Sequence, residues 1–428
     1  MLPARALALA RANAAALWLL AATTIANVLA YGYQFVMARL LTKDQFAILT
    51  AFSAVLILEQ FGGQVVQSAT AKLAAQYHAR GEEAALHVFV RRWLRRILIG
   101  AGIPAALILA VAFTVQVPLL NAFAVGLIGV TLFLAILLTF TLGLLQGLAR
   151  FWWFGSVFIS IALTRLVAGA LLVLWLSGPG APTEPVNGAF LGASFALLVG
   201  AAGTLIPLAP LLRAARGAVH EIDLGSAETR FFLLAAVIFF GYAALTFVDG
   251  LVAPWRIPDE AGAYAGAILL GKIVLFAPIA VGLLLLERTS RADALGQDTE
   301  RNLFVALGFV FVTSGAVAVA YLVAPAFFTA LVAGAQYPEA AALVPIYGIA
   351  ALSNALLSLW VAYFVGRGHM AIGAFLAVGV TAELVLLVTV SRDAATMVRI
   401  VLAVALAMQA AAVAIYAVDR IRRGTLRR

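Results

Sequence analysis

Four polar side chains lie at helical spacing inside the first long apolar segment of the chain, at Thr24, Asn27, Tyr31 and Gln34. Steps of three and four residues keep all four on one face of an α-helix. Hydrocarbon offers their hydroxyl and amide groups no hydrogen-bond partner. The pattern therefore predicts that this face turns toward water, a ligand or other polar helices.

Three further apolar segments carry a similar polar face. The three polar faces consist of Gln60, Gln64 and Gln67 in the second segment, Tyr242, Thr246 and Asp249 in the seventh, and Tyr347, Asn354 and Ser358 in the tenth. Amides and hydroxyls donate and accept neutral hydrogen bonds, which suits the hydroxyl groups of sugars. The alternative is hydrogen bonding between helices. Because the pattern recurs, we predict a polar cavity. The substrate-binding candidates with neutral side chains are Thr24, Asn27, Tyr31, Gln34, Gln60, Gln64, Gln67, Thr246 and Asn354.

Five ionisable residues also lie inside apolar segments, at Glu59, Arg165, Asp249, Lys272 and Glu383. A charge at mid-membrane costs about 2.5–3.5 kcal/mol, so each is expected to have a partner or water. Arg165 and Lys272 are candidates for binding an anionic group of the substrate such as a phosphate, or else pair with Glu59 or Glu383. Asp249 could bind a coupling proton or cation, or be a helix-end residue. Glu59, Asp249 and Glu383 are the ion-coupling candidates.

These residues are positioned by helices that must cross a membrane. Of 428 residues, 64% are hydrophobic and 11% are charged, and the mean hydropathy is +1.07, whereas soluble domains carry about 25% charged residues. A membrane helix needs about 20 apolar residues. Twelve segments qualify, near residues 14–39, 46–70, 97–117, 122–147, 153–177, 188–212, 231–254, 262–287, 302–327, 342–365, 370–391 and 397–418. The sequence thus predicts an all-α polytopic membrane protein of about 12 transmembrane helices.

Basic residues predict the orientation of these helices. With the N-terminus inside, 21 of the 28 Lys and Arg residues fall in cytosolic segments and 5 fall in outer loops. This bias predicts a plasma-membrane protein with both termini in the cytosol. Arg5 and Arg11 precede the first apolar segment as in a signal peptide. That segment runs for about 25 residues, so we predict that it is an uncleaved span.

The two halves of the chain resemble each other. Phe35-Val36 recurs as Phe247-Val248, 212 positions later, and Arg150 and Arg367, which close the fourth and tenth segments, lie 217 apart. Internal repeats are common in transporters. They predict two pseudo-symmetric six-helix lobes, residues 1–220 and 221–428, joined by the polar link near 213–230.

The composition disfavours other classes of protein. The chain has no cysteine, and its four histidines form no metal-binding pattern, so neither a metal nor another cofactor is expected. The nucleotide-binding pattern GxxxxGK[ST] is absent, and the loops are too short for an ATPase domain or a catalytic site, so no enzyme is predicted. The net charge of +9 is read as a topology signal and attraction to lipid headgroups, with no nucleic acid as partner.

Several stretches resemble the polysaccharide-transporter branch of the multidrug/oligosaccharidyl-lipid/polysaccharide (MOP) exporter superfamily. They are residues 27–55, GLLQGLARFWWFG at 143–155, AGAYAGAILLGKI at 261–273, and residues 333–369. The resemblance implies a MATE-like fold, with two six-helix lobes around a central cavity, and alternating access. It also implies a flippase or exporter for lipid-linked oligosaccharide or polysaccharide precursors in cell-envelope biosynthesis. In the lipid-linked branch the cavity tends to be cationic, and Arg165 and Lys272 could meet a pyrophosphate there.

The sequence therefore predicts a flippase that moves a lipid-linked saccharide from the inner to the outer leaflet. Its expected partners are membrane lipids and this substrate, and glycan-assembly enzymes could join them. An ion-coupled exporter of drugs and small amphipathic compounds, using Asp249 or Glu59, is the first alternative. The first span lacks the acidic residue that the drug-exporting branch often has, which argues against it. A non-transporting scaffold in envelope assembly is the second alternative.

Overall fold

The computed structural model describes residues 2–114, 121–215, 226–275, 281–282, 285, 289, 299–369 and 371–426. Every regular element within these ranges is a helix. The helices are α1 (Leu2–Leu40), α2 (Lys43–Ala79), α3 (Glu83–Thr114), α4 (Ala122–Gly147), α5 (Phe151–Leu176), α6 (Pro185–Ala215), α7 (Ser226–Arg256), α8 (Ala261–Val274), α9 (Glu300–Val323), α10 (Pro325–Val332), α11 (Ala340–Gly366), α12 (Ile372–Thr389) and α13 (Ala394–Leu426).

Eleven helices in the described part of the chain are long and apolar enough to cross a membrane. They coincide with eleven of the twelve predicted segments, and the all-α polytopic fold is confirmed. The remaining predicted segment, 262–287, begins with the 14-residue α8 and continues into residues that lie mostly outside the described ranges. The predicted segment 302–327 was too long at its end. Helix α9 stops at Val323 because Pro325 has no backbone N–H to continue it, and Pro325 starts α10 instead.

Tryptophans mark both ends of α5. Trp152 and Trp153 lie in its first turn and Trp175 in its last, and all three are exposed. Their separation of 22 to 23 residues corresponds to about 33–35 Å of helix, close to the thickness of a bilayer core. The exposed side chains between them include Leu163 and Leu171. This face of α5 is suited to lipid, with tryptophans at the two interfaces.

The chain divides into two compact units. Unit 1 comprises Met1–Leu41 and Glu59–Ala236, and unit 2 comprises Thr42–Leu58 and Val237–Arg428. The first part of α2 therefore belongs to unit 2 and its second part to unit 1, while the first part of α7 belongs to unit 1. The division into lobes at residue 220 stays a prediction.

Small residues bring the helices of unit 1 into backbone contact. A Cβ atom on Gly192 of α6 would lie 2.4 Å from the Cα of Gly169 on α5. A Cβ on Gly147 of α4 would lie 2.4 Å from the carbonyl oxygen of Ala71 on α2. In lipid the hydrophobic effect does not drive helices together, so close packing through small residues supplies much of the attraction.

The same principle organises unit 2 around α8 and α11. A Cβ on Gly262 of α8 would lie 2.4 Å from the Cβ of Lys43, so the start of α2 packs directly on the start of α8. Lys43 also forms an exposed ion pair with Glu339, at 2.9 Å. Most of α11 is buried, and it packs against α8, α9 and α13. Together these contacts place α8 against both α11 and the start of α2.

One helix-ending turn occurs in both units. Two residues beyond α4 and α11, the backbone adopts a positive φ, 55° at Ala149 and 72° at Gly368. The N–H of the following residue then donates to the carbonyl five residues back, at 2.8 Å for Arg150 and 2.9 Å for His369. This is the Schellman motif, in which glycine is the favoured residue. Ala149 therefore holds a conformation that costs a residue with a Cβ about 1–2 kcal/mol.

Arg150 and Arg367, which the sequence relates as repeat counterparts, each tie such a turn to a later helix of the same unit. Arg150 donates from Nη1 to the carbonyl of Pro207 on α6. Arg367 donates from Nη1 to Oδ2 of Asp419 on α13, at 3.1 Å. Each arginine therefore connects its turn to a later helix by a hydrogen bond, but the acceptor is a backbone carbonyl for Arg150 and a carboxylate for Arg367.

Candidate functional site

Unit 2 contains a buried carboxyl group held by two tyrosines. Asp249, on α7, is 1% exposed. Its Oδ2 accepts hydrogen bonds from the hydroxyl of Tyr264 on α8 at 2.8 Å and from that of Tyr347 on α11 at 2.9 Å. Two O–H donors directed at one oxygen suit an ionised carboxylate, which can only accept. Since α7 continues for seven residues to Arg256, Asp249 is not the helix-end residue that the sequence left open.

Gly271 allows Tyr347 to reach the carboxylate. A Cβ at Gly271 would lie 2.3 Å from Cε1 of the Tyr347 ring, so the ring occupies the space that a side chain would fill. The rings of Tyr264 and Tyr347 meet edge to face, with centroids 5.9 Å apart. From α9, the hydroxyl of Ser314 donates to the carbonyl of Val274 at 2.7 Å, which satisfies an acceptor at the end of α8.

Lys272 shares a small pocket with Asp249. Thr50 of α2 and Gly250 of α7 line the same pocket. The charges of Lys272 and Asp249 are close enough to interact. Asp249 is buried, whereas Lys272 is only partly buried. The more accessible member of this pair is therefore the cation.

A second carboxyl group lies near the first. Glu383 on α12 is 1% exposed, and neither of its side-chain oxygens has a hydrogen-bond partner within the described residues. Its charge is close enough to interact with that of Asp249. Unit 2 thus brings together three of the five ionisable residues that the sequence identified.

In unit 1 a partly buried cation lies beside a buried tyrosine. The guanidinium carbon of Arg165, near the middle of α5, lies 4.4 Å from the centroid of the Tyr33 ring on α1. The Tyr33 hydroxyl donates to the carbonyl of Ala189 on α6 at 3.2 Å. A Cβ on Gly169 would lie 2.8 Å from Cε2 of Tyr33, so a glycine also makes room for this ring.

Arg165 keeps unused hydrogen-bond donors. Its Nε and Nη2 are buried without a hydrogen-bond partner in the described part of the chain. The predicted alternative of an ion pair with Glu59 is not formed, and the buried Oε1 of Glu59 likewise lacks a hydrogen-bond partner among the described residues. A guanidinium with open N–H groups can bind an anion.

The polar face of α1 lies away from Arg165. Thr24 and Asn27 are exposed, Tyr31 is half-buried, and Gln34 is 8% exposed. At 100° per residue, Tyr33 lies about 140° around the helix from the centre of this face. The structure therefore does not bring these four residues and Arg165 to one side of α1.

The second polar face, on α2, divides into two kinds of residue. Gln60 and Gln64 are exposed, and their amides have no hydrogen-bond partner among the described residues. Gln67 donates from Nε2 to Oε1 of Gln146 on α4 at 2.9 Å, so it forms the interhelical hydrogen bond of the alternative interpretation.

The remaining candidates in unit 2 make contacts inside that unit. The Thr246 hydroxyl donates to the carbonyl of Tyr242 in its own helix at 2.9 Å. The Tyr242 hydroxyl donates to the backbone carbonyl of Asn354 at 3.0 Å. The Oδ1 atom of Asn354 is buried without a hydrogen-bond partner in the described ranges. Thr246 and Asn354 stay predictions as substrate contacts.

Tyr33 and Tyr264 were not among the predicted site residues. Both are fully buried tyrosines within apolar helices. A buried phenol needs a hydrogen-bond partner, so each could have been singled out by type. Their partners Arg165 and Asp249 lie on other helices, and spacing along one helix cannot identify them.

These features define a polytopic helical membrane protein with a MATE-like fold. Solved structures support this class. The chain is similar to the inward-facing conformation of a multidrug resistance MATE family transporter of the MOP superfamily, with a TM-score of 0.70, 14% identity, and coverage of 94% of this chain and 95% of that one. It is also similar to the outward-facing conformation of such a transporter, with a TM-score of 0.61, 12% identity and coverage of 96% of each chain.

A lipid flippase has the same fold. The inward closed conformation of the lipid II flippase MurJ matches with a TM-score of 0.62 and 11% identity, covering 94% of this chain and 87% of that one. No family model matches the sequence, and no curated protein is similar to it in sequence. The likeness therefore establishes the fold, which transporters and flippases of the MOP superfamily share.

Proposed function

We propose that the protein is a MOP-type flippase that moves a lipid-linked saccharide, or a related polysaccharide precursor, across the plasma membrane by alternating access. One observation carries the proposal: Asn27, Gln60 and Gln64 in unit 1 expose amides that have no partner within the described residues. All three lie deep within membrane-spanning helices. Hydrocarbon cannot satisfy these amides, so they require water or a polar solute. Their donors and acceptors match the hydroxyl groups of a saccharide.

The side chain of Arg165 favours a substrate that carries a negative charge. Its Nε and Nη2 atoms are buried without a hydrogen-bond partner among the described residues, and a planar guanidinium suits two-point binding of a phosphate once the site opens during transport. The aromatic face of Tyr33 stabilises the cation while no anion is bound. The saccharide and the phosphate are then recognised on different sides of α1. A lipid-linked saccharide extends in two directions from its phosphate, so its chemistry suits such separated contacts.

Flipping in liposomes tests the proposal. The full chain is reconstituted with a fluorescent saccharide linked through pyrophosphate to a short polyprenyl chain, and translocation is followed by a membrane-impermeant quencher. Replacing Asn27, Gln60 and Gln64 together with leucine should slow flipping about tenfold or more, because each lost hydrogen bond contributes about 0.5–1.5 kcal/mol. Thr313→Val is the matched control, since the hydroxyl of this half-buried threonine donates only to carbonyls of its own helix. Unchanged flipping by the triple variant would contradict the proposal.

The buried acids of unit 2 favour a second candidate, an ion-coupled exporter of small amphipathic compounds. Asp249 and Glu383 could bind a coupling proton or cation. In the same liposomes, this candidate predicts pH-driven export of a cationic dye, and that Asp249→Asn abolishes it. The flippase proposal instead predicts that flipping requires the pyrophosphate group and that no dye moves.

A further inference from the structure

The first half of α3 carries a cluster of four arginines within six residues. They are Arg91, Arg92, Arg95 and Arg96. Three of them are exposed, and Arg92 is partly buried. They form two pairs four residues apart, so like charges are neighbours on the helix surface and repel each other. The only acidic residue of α3 is Glu83, which lies about 18 Å along the helix from Arg95 and is paired with His78 at 2.9 Å. No acidic residue of α3 itself therefore neutralises the cluster.

An exposed apolar surface continues from the arginines along the same side of α3. It consists of Leu98, Ile99, Ile103 and Leu107, which are 46% to 60% exposed. At 100° per residue, these side chains and the four arginines lie within about half of the helix circumference. The rise from Leu98 to Leu107 is about 14 Å, close to half of a hydrocarbon core about 30 Å thick. Only 6% of the apolar stretch of α3 is buried, against 22% or more in every other membrane-spanning helix of the described part of the chain. This side of α3 therefore combines positive charge with an apolar surface that is as deep as one leaflet.

Trp93 holds one of the arginines by its aromatic ring. The guanidinium carbon of Arg96 lies 5.5 Å from the centroid of the Trp93 ring. The ring is partly buried and packs against the buried ring of Phe89, with centroids 6.4 Å apart. A cation is attracted to the face of an indole, and tryptophan is enriched where a membrane meets water. Arg95 and Arg96 form no hydrogen bond or ion pair with the described residues, so their N–H groups are available to oxygen acceptors.

We propose that this side of α3 binds an anionic phospholipid, with the phosphate at the four arginines and the acyl chains against residues 98–107. Phosphate oxygens accept strong hydrogen bonds from guanidinium groups and relieve the repulsion between them. The occupant is a lipid because the charged turn and the apolar surface are continuous, whereas a soluble anion would leave the apolar part uncovered. A second copy of the chain is disfavoured, since a symmetric contact would bring four more arginines to the same surface. In the predicted orientation, the lipid belongs to the cytosolic leaflet, whose surface is negative. The inference is independent of the transported substrate.

Photolabelling of the full chain in phosphatidylcholine nanodiscs tests the inference. Two lipid probes carry the same diazirine on one acyl chain and differ only in the headgroup, which is phosphatidylglycerol or phosphatidylcholine. Mass spectrometry then maps the labelled residues. The phosphatidylglycerol probe should label residues 98–107 about tenfold more than the phosphatidylcholine probe, because each arginine near an anionic headgroup contributes about a factor of five. Unlabelled phosphatidylglycerol should compete with the probe, whereas soluble glycerol 3-phosphate should not.

Variants of the exposed arginines show whether the cluster causes the preference. Arg95→Gln/Arg96→Gln should lower labelling by the phosphatidylglycerol probe to about that of the phosphatidylcholine probe. Arg95→Lys/Arg96→Lys keeps both charges and should keep most of the labelling. Arg213→Gln/Arg392→Gln removes two exposed arginines elsewhere and should behave as wild type.

A measurement on wild type alone keeps the test decisive if the glutamine variant does not fold. High salt screens exposed charges, so it should reduce the preference for the phosphatidylglycerol probe. Equal labelling of residues 98–107 by the two probes, a preference that salt does not change, or unchanged labelling of Arg95→Gln/Arg96→Gln would overturn the inference. Full competition by glycerol 3-phosphate would also overturn it, since the site would then bind a free phosphate.

Discussion

In each unit a tyrosine ring packs against a glycine and lies next to an ionisable residue, Arg165 in unit 1 and Asp249 in unit 2. The two tyrosines face these opposite charges in different ways. In unit 1, Tyr33 turns its ring face to Arg165 and gives its hydroxyl to a backbone carbonyl. In unit 2, Tyr347 gives its hydroxyl to Asp249. The face of an aromatic ring is negative and the phenol hydrogen is positive, so one residue type complements either sign. The cation of unit 1 keeps open donors, whereas the anion of unit 2 is largely satisfied within the protein.

Removing the two charges should lower the stability of the protein to different extents. Asp249→Ala leaves the hydroxyl groups of Tyr264 and Tyr347 without their shared acceptor, and each buried donor that is left unsatisfied costs about 1–3 kcal/mol. Arg165→Ala breaks no ion pair among the described residues, so only about 0.5–2 kcal/mol of cation–π attraction is lost. Unfolding in detergent with increasing denaturant measures both. If Arg165→Ala destabilises the protein as much as Asp249→Ala, the contrast between an open and a satisfied charge is wrong.

Removing the two hydroxyl groups sharpens the same contrast. Tyr347→Phe takes one hydrogen bond from a buried carboxylate and should lower the free energy of unfolding by about 1.5–3 kcal/mol. Tyr33→Phe removes a hydrogen bond to a neutral carbonyl and keeps the ring over Arg165, so about 0.5–1.5 kcal/mol is expected. Tyr33→Leu serves as the control that also removes the ring. Equal losses for the two phenylalanine variants would contradict the different use of the two tyrosines.

The helix-ending turns of the two units should respond with opposite signs. Gly368→Ala introduces a Cβ at a φ of 72° and should destabilise by about 1–2 kcal/mol. Ala149→Gly relieves the same strain at a φ of 55° and should stabilise by a similar or smaller amount, since glycine adds entropy to the unfolded chain. Thermal unfolding of both variants measures the two changes in stability. A stabilising Gly368→Ala would show that the turns are not equivalent.

The sequence predicts the features that are set within a single helix, and it does not predict the contacts between helices. Apolar length predicted twelve spans, and eleven of them are found in the described part of the chain. The type of residue singled out Asp249, Lys272 and Glu383, which unit 2 brings together. The polar face of α1 was predicted to line a cavity, and Arg165 was a candidate for binding an anionic group of the substrate. Arg165 instead contacts Tyr33, on another side of α1, because the glycine at 169 admits that ring. Helix periodicity fixes which side chains share a face, but the neighbour of each face depends on the packing of small residues between helices.

The smallest expected effect concerns two helix N-caps that differ in one atom type. In unit 1, Oδ1 of Asn121 accepts the backbone N–H of Ala124 at the start of α4, at 2.8 Å. In unit 2, Oδ1 of Asp393 accepts the backbone N–H of Thr396 at the start of α13, at 2.6 Å. That hydrogen bond lowers the pKa of Asp393 below its usual value of 3.8. Asn121 does not titrate, so acid should weaken only the cap in unit 2.

The sign follows from the lowered pKa. The cap of Asp393 contributes fully above the pKa of the unfolded chain, about 3.9, and its contribution disappears as the pH falls through the lower folded value. Wild type should therefore lose melting temperature relative to Asp393→Asn between pH 5 and about pH 3, because asparagine caps equally well at both. Asn121→Asp transfers the titrating group to α4 and should create the same acid sensitivity in unit 1. A melting-temperature difference between wild type and Asp393→Asn that does not change with pH would mean that the cap is not ionised in the folded protein.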